Sequence, residues 1–410
     1  MAGQGRTVRR AVRRAAGLVL AAALLASGCA APEASDTTMR DIQRTLDGRA
    51  AAVLGHDESS YLAALDPRAP VLRATERREF QNLADVPLRS WEYRLSDVRR
   101  QGARAVAEAE LRYRIDGYDT APVTASRTLE LAEHEGRWYI TADRSSKQGG
   151  QQLWQQGDVQ VVRGKRSLVL AVGQDVARLR ALATKADRAV PAVSDVWSSP
   201  WAGRLVILVP ASLDAMGGLL GAPAAGYRGI AAVTTGETGA AGTAPADRVI
   251  VNPEAYGALG DFSQGIVLTH ETAHVATRAY TSAATPMWLS EGFADWAAYR
   301  GTGRSAGQTA PELQRVVVRG DVPAALPSDK DFAFDGDGDK LARAYEGGWL
   351  ACELIAARWG EKKLTSFYRA VGAGKHRAAA VEKAMADVLG TTRKDFTVRW
   401  RDYLRERLDG

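Results

Sequence analysis

His270-Glu271-Thr272-Ala273-His274, followed after a short connection by Trp288-Leu289-Ser290-Glu291-Gly292-Phe293-Ala294-Asp295, is the stretch from which the rest of the chain is read. On a helix, residues four apart share a face, so His270 and His274 can offer two imidazole nitrogens to one metal ion. Glu271 is one step on from His270 and stands beside that ion, where a general base for an activated water belongs. A catalytic zinc takes a third protein ligand and keeps its fourth position for water. Glu291 opens a second apolar helical run, Glu291 to Tyr299, and is the candidate third ligand. Asp295, four residues later on the same face, is placed to hold the free N–H of one of the two histidines.

The His270–His274 motif and the run Pro286-Met287-Trp288-Leu289-Ser290-Glu291-Gly292-Phe293-Ala294-Asp295-Trp296 resemble the gluzincin zinc metallopeptidases. Within that group they are most similar to the peptidase MA-like family, over roughly Val159 to the C-terminus. The resemblance implies Zn2+ held by His270, His274 and Glu291, with Glu271 as catalytic base. The family often has Asn before the ligand Glu, and here Ser290 stands there. Aminopeptidase-like members carry a Tyr-Glu-x-Gly segment whose tyrosine donates to the oxyanion; Tyr345, in Tyr345-Glu346-Gly347-Gly348, is similar in context and takes that role by resemblance. Their Gly-x-Met-Glu-Asn segment, which anchors a free amino terminus, is not found, which points to endopeptidase action. Gluzincins bind peptide along an edge strand upstream of the motif, and by resemblance that strand is Ile230 to Thr234. From the residues alone this run reads equally as an edge or an interior strand.

At 410 residues, with 46% hydrophobic and 25% charged residues, the chain has material for two globular domains. Of the net charge of +6, five arginines lie in residues 1–28, which hold no acid, so the remainder is nearly neutral. Its Arg and Lys are interspersed with Asp and Glu, which reads as a solvated surface and gives no case for nucleic-acid binding. The leader's apolar run, Ala15 to Ala26, is too short for a permanent span. It ends in Leu25-Ala26-Ser27-Gly28-Cys29 and resembles a lipoprotein signal peptide, with Cys29 lipidated and the protein held outside the cytoplasmic membrane. Cys352 would then stand alone in an apolar helical run, a buried thiol with no disulfide partner.

Residues 29–38 read as a tether. Helices are expected at Met39 to Leu54, Glu58 to Leu65 and Ala69 to Leu83. The period then changes to two over Trp91 to Val98, Ala105 to Ile115, Ser126 to Glu133 and Arg137 to Thr141, an antiparallel sheet with one buried face. Helices leading into such a meander resemble the cystatin-like cone of nuclear-transport-factor-like domains, here a binding or spacer module. His56, His134 and His376 read as surface residues. Gln148 to Gln152 reads as a linker.

Strands are expected at Val159 to Val162, Ser167 to Val172, Leu205 to Val209, Gly229 to Thr235 and Arg248 to Asn252. A helix over Asp175 to Val196 contains Pro191, a potential kink. Helices cover Phe262 to Tyr280, Met287 to Arg300 and four later segments, and 301–340 reads as loop. Asp335-Gly336-Asp337-Gly338-Asp339, with Glu346 eleven residues after Asp335, has the acids of a calcium loop. Lys340 occupies the sixth position where such a loop needs Gly, so a solvated acidic loop is expected.

The expected chain is α+β. A signal peptide (1–28) and tether (29–38) precede a cystatin-like cone of helices on a curved antiparallel sheet (39–150). After it comes a thermolysin-like zincin domain with a mixed sheet, active-site helices and a helical C-terminal part (151–410). The expected function is zinc-dependent hydrolysis of peptide or protein substrates at the membrane surface. The alternatives are a latent zincin fold used for binding and a zinc hydrolase of a cell-wall amide.

Overall fold

The computed structural model describes residues 34–146, 150–235, 246–334 and 337–409, with side chains from residue 37. The leader and Cys29 lie outside the described residues. Among the described residues no helix is long and apolar enough to cross a membrane.

Helices α1 (Ala34–Leu54), α2 (Glu58–Ala63) and α3 (Pro70–Asn82) pack on an antiparallel meander, β1 (Leu88–Gln101), β2 (Arg104–Ile115), β3 (Val123–His134) and β4 (Arg137–Ser145). The alternation in β2 decides which face is covered: Ala105, Ala107, Ala109, Leu111, Tyr113 and Ile115 are all buried. Two hairpin turns use left-handed residues, Gly102 in one and Glu135-Gly136 in the other. The first helix starts five residues earlier than its apolar period suggests. Thr38, expected in the tether, is buried and accepts a hydrogen bond from Arg100 Nη1 at 2.9 Å. His134 is also less free than its turn position suggests. It stacks on Tyr139 and meets Asp66 Oδ2 at 3.1 Å.

Residues 148 and 149 of the expected linker lie outside the described residues, but the segment just after the linker is packed. Leu153 and Trp154 are buried, and the Trp154 ring lies 5.2 Å from those of Trp91 and Tyr113. An apolar Leu-Trp pair cannot be left in water cheaply, so the chain docks directly after the expected linker.

The second sheet contains β5 (Val159–Arg163), β6 (Ser167–Val172), β7 (Leu205–Val209), β8 (Ala232–Thr235) and β9 (Arg248–Val251), in the order β5-β6-β7-β9-β8. β6, β7 and β9 are parallel, and β5 and β8 run antiparallel to their neighbours, so β8 is an edge. Every residue of β6 is buried because both of its faces are covered. Leu168, Leu170 and Val172 join the core of the first sheet, whereas Val169 and Ala171 join a core with α4 (Val176–Val196). Asp175 caps α4 by accepting from Arg178 N–H, and the helix continues through Pro191.

The loop between β2 and β3 fastens the two sheets together. Asp119 takes Arg248 Nη1 and Nη2 at 2.8 and 2.7 Å, and Tyr118 O–H donates to the Ser167 carbonyl at 3.0 Å.

The remainder is helical: α5 (Leu213–Leu220), α6 (Pro253–Ala258), α7 (Asp261–Thr277), α8 (Met287–Tyr299), α9 (Ala306–Thr309), α10 (Pro311–Val317), α11 (Gly338–Trp359), α12 (Glu361–Gly372), α13 (Arg377–Ala384) and α14 (Arg393–Leu408). The 301–340 region, expected as loop, contains α9 and α10. They are too short to show a helical period, yet Leu313 and Val317 are buried. The buried Glu346 accepts the N–H groups of Glu312 and Leu313 at the start of α10, and Asp337 caps α11 by accepting from Lys340 N–H. Both acids therefore serve helix starts; Asp335 lies outside the described residues. Cys352 is buried in α11, and burial pushes its thiol pKa well up.

Candidate metal centre and cleft

Helix α7 presents one face to the core and the other to a cleft. Leu268, Ala273 and Ala276 are buried, and the hydroxyls of Thr272 and Thr277 fold back onto carbonyls four residues earlier, at 2.6 and 2.9 Å. The opposite face carries His270, Glu271 and His274. A short connection returns the chain into α8, which crosses α7 with Glu291 toward the histidines.

Three electron-pair donors converge there. His270 Nε2 and His274 Nε2 are 3.0 Å apart, and Glu291 Oε2 lies 3.3 and 3.4 Å from them. Two ligands at zinc distances of about 2.0–2.1 Å, subtending a tetrahedral angle, stand about 3.3 Å apart, so the spacing fits one small cation. The tautomer fits as well. Asp295 Oδ1 sits 2.8 Å from His270 Nδ1, so that nitrogen donates and Nε2 keeps its lone pair. Two imidazole lone pairs and a carboxylate cannot share this space without a proton or cation between them. Charge balance says the same. Burial opposes charging His270, yet Asp295 and Glu291 outweigh it and raise its pKa well above the ordinary value. Burial likewise opposes ionising Glu291, but His274 and His270 hold its carboxyl far below the usual range. The cluster draws positive charge.

Glu271 is buried and is not part of that triangle. Its Oε2 accepts a hydrogen bond from Thr234 Oγ1 at 2.6 Å. Thr234 lies on β8, so the edge strand itself orients the carboxylate. The strand expected from Ile230 starts at Ala232, because Ile230 N–H is taken by the Tyr227 carbonyl in a turn.

Tyr345 lines the same cleft, its ring 6.4 Å from that of His270. Burial and the carboxylates of Glu291, Asp295 and Glu271 raise its pKa, so the hydroxyl stays protonated and able to donate. It reaches the site because α11 lies unusually close to α8. A Cβ on Gly292 would stand 2.2 Å from the Gly348 carbonyl oxygen, and one on Gly348 would stand 2.7 Å from that of Trp288. Only glycine permits that crossing, which explains the small residue Gly348 soon after Tyr345-Glu346.

The cleft has a volume of about 720 Å³. Pro223, Tyr227, Ile230, Val233, Met287 and Phe334 give it apolar walls, and Ser290 and Arg278 also line it. Thr234 and Arg278 were not singled out from the sequence. Spacing could have found Arg278, which falls four residues after His274. Thr234 depends on the strand order and had no local signal. Compared with known proteins, the chain matches no family model and no curated protein sequence.

Proposed function

We propose that the protein is a zinc-dependent peptidase of the gluzincin type, with a cystatin-like cone preceding a thermolysin-like zincin domain. We further propose that it is anchored outside the cytoplasmic membrane through a lipidated Cys29. The observation that carries the catalytic reading is the convergence of His270 Nε2, His274 Nε2 and Glu291 Oε2 beside a carboxylate, Glu271, left out of the triangle. A site meant only to hold a metal has no need of that fourth group.

When bound, zinc would acidify a water and polarise the scissile carbonyl. Asp295 keeps His270 in the tautomer that can ligate. Glu271, aligned by Thr234, takes the proton of the attacking water and delivers it to the leaving amine. Tyr345, held neutral, donates to the oxyanion. The edge β8 offers its free backbone groups to an extended peptide, and the apolar walls exclude water around it.

The test is zinc content together with peptide turnover, for wild type and Glu271→Gln. One zinc in both, with turnover lowered about 10²- to 10⁴-fold in the variant, is the expected result. No zinc in either protein, or equal turnover in both, would overturn the mechanism.

A further inference from the structure

We propose that Arg278 anchors a carboxylate of the substrate, making the cleft selective for peptides with an acidic group one or two residues from the cleaved bond. This rests on the peptidase reading and adds a substrate class to it.

Arg278 is the single Arg or Lys among the described residues lining the cleft, whose other charged groups are Glu271 and Glu291 with the two histidines. It begins the turn after α7, four residues on from His274, so it stands about 6 Å further along the helix axis. Its side chain is 15% exposed: largely desolvated, yet reachable from the cleft. Asp247 accepts from Nε at 3.0 Å and fixes the guanidinium from behind. Asp247 is itself almost fully buried and precedes Arg248, which Asp119 clamps. Among the described residues no acceptor is hydrogen-bonded to the two Nη groups of Arg278.

The register of the edge strand sets the reach. Thr234 meets Glu271, and its neighbour Thr235 pairs with Arg248, next to Asp247. A peptide laid along β8 with its scissile carbonyl near Glu271 advances about 3.3 Å per residue, so Arg278 lies within one or two residues of the cut. A neutral peptide leaves a half-buried guanidinium short of acceptors; a carboxylate supplies a charge-assisted, potentially bidentate pair. The carboxylate can be an Asp or Glu side chain or the free C-terminus.

The experiment compares kcat/KM for matched peptides on wild type and Arg278→Gln. One arm sets Asp and Glu against Asn and Gln at each position around the cut, and the other sets a free C-terminus against its amide. Wild type should favour the carboxylate in one arm by about 10- to 100-fold, and the arm that responds identifies the source. Arg278→Gln should bring that ratio close to one, and Arg278→Lys should restore part of it. A wild-type ratio near one in both arms, or a ratio that survives in Arg278→Gln, would overturn the anchor and leave Arg278 as a partner of Asp247 alone. Binding of the same peptides to Glu271→Gln, read by fluorescence anisotropy, separates the two ideas. Preferential binding without turnover in wild type would sink the peptidase reading and keep the anchor; binding without preference would sink the anchor.

Discussion

Among the described residues, the buried polar cluster around Arg49 and the one in the cleft are built on opposite plans. In the N-terminal unit, Arg49 Nη1 donates to Asp143 Oδ2 at 2.9 Å and Nη2 to the Tyr61 hydroxyl at 2.7 Å, while also pairing with Glu76. Arg127 Nε donates to the other oxygen of Asp143 at 2.7 Å, and Tyr61 O–H donates to Glu76 at 2.6 Å. Two guanidiniums face two carboxylates, and donors meet acceptors. In the cleft, His270, His274 and Glu291 turn three acceptors on one point. Both clusters are largely shielded from water. The first arrangement sets guanidiniums against carboxylates, with Arg49 Nε alone left without a partner, and the second needs a proton or cation between its acceptors, so donor–acceptor balance separates the two more sharply than burial or charge does.

The comparison breaks most visibly at Arg49. Its side chain is 2% exposed, as are those of its partners to within a few per cent. Replacing Arg49 by Met removes the guanidinium that lies over the Tyr61 and Tyr93 rings and leaves Glu76 and Asp143 short of a countercharge. The expected loss is about 3–5 kcal/mol of unfolding free energy, read by urea denaturation. Zinc content of the folded fraction should not change. A loss below about 1 kcal/mol would mean that this cluster is not a structural element of the fold.

Asp295 sharpens the other side of the comparison. It pairs with the nitrogen of His270 that does not face the cluster, at 2.8 Å. In Asp295→Asn the amide can still accept from that N–H, but it no longer supports the ring with charge. Zinc affinity is expected to fall about 10- to 100-fold, measured by competition with a chromophoric chelator, while urea stability of the metal-free protein changes little. An unchanged affinity would show that Asp295 is an ordinary helix-surface acid and that His270 is oriented by packing alone.

Legibility in the sequence tracks the range of the interactions. The triangle was legible because two ligands sit four apart on one helix and the third comes after a short connection, on the next. Each of those facts is local. The alternation of β2 and the unbroken apolar run of β6 were legible too, since burial on one face or two prints directly on the residue pattern. Short or non-local features were not. The helices α9 and α10 span less than one full set of apolar repeats, and the docking of Trp154 against Trp91 depends on a partner far away in the chain. The approach of Tyr345 was implied only by resemblance. Physically it rests on Gly292 meeting Gly348 across two helices, and the sequence shows two glycine positions without showing that they touch.

Thr234 is the finest test of the contrast, because there, among the described residues, the sheet enters the hydrogen bonding of the proposed base. Its hydroxyl donates to Glu271 Oε2 at 2.6 Å from the edge strand β8. Thr234→Val has nearly the same shape and keeps the β-branched fit to the strand, so it removes the donor and little else. A lost hydrogen bond to a charged group is worth about 1.5–3 kcal/mol, and the part felt in the transition state should lower kcat about 10-fold with KM and zinc content almost unchanged. Thr234→Ser, which restores the hydroxyl, should recover most of the rate. If Val matched wild type, or if Ser failed where Val failed, the carboxylate would be held by α7 alone. On the proposed function, the edge strand would then be left to receive substrate and not to aim the base.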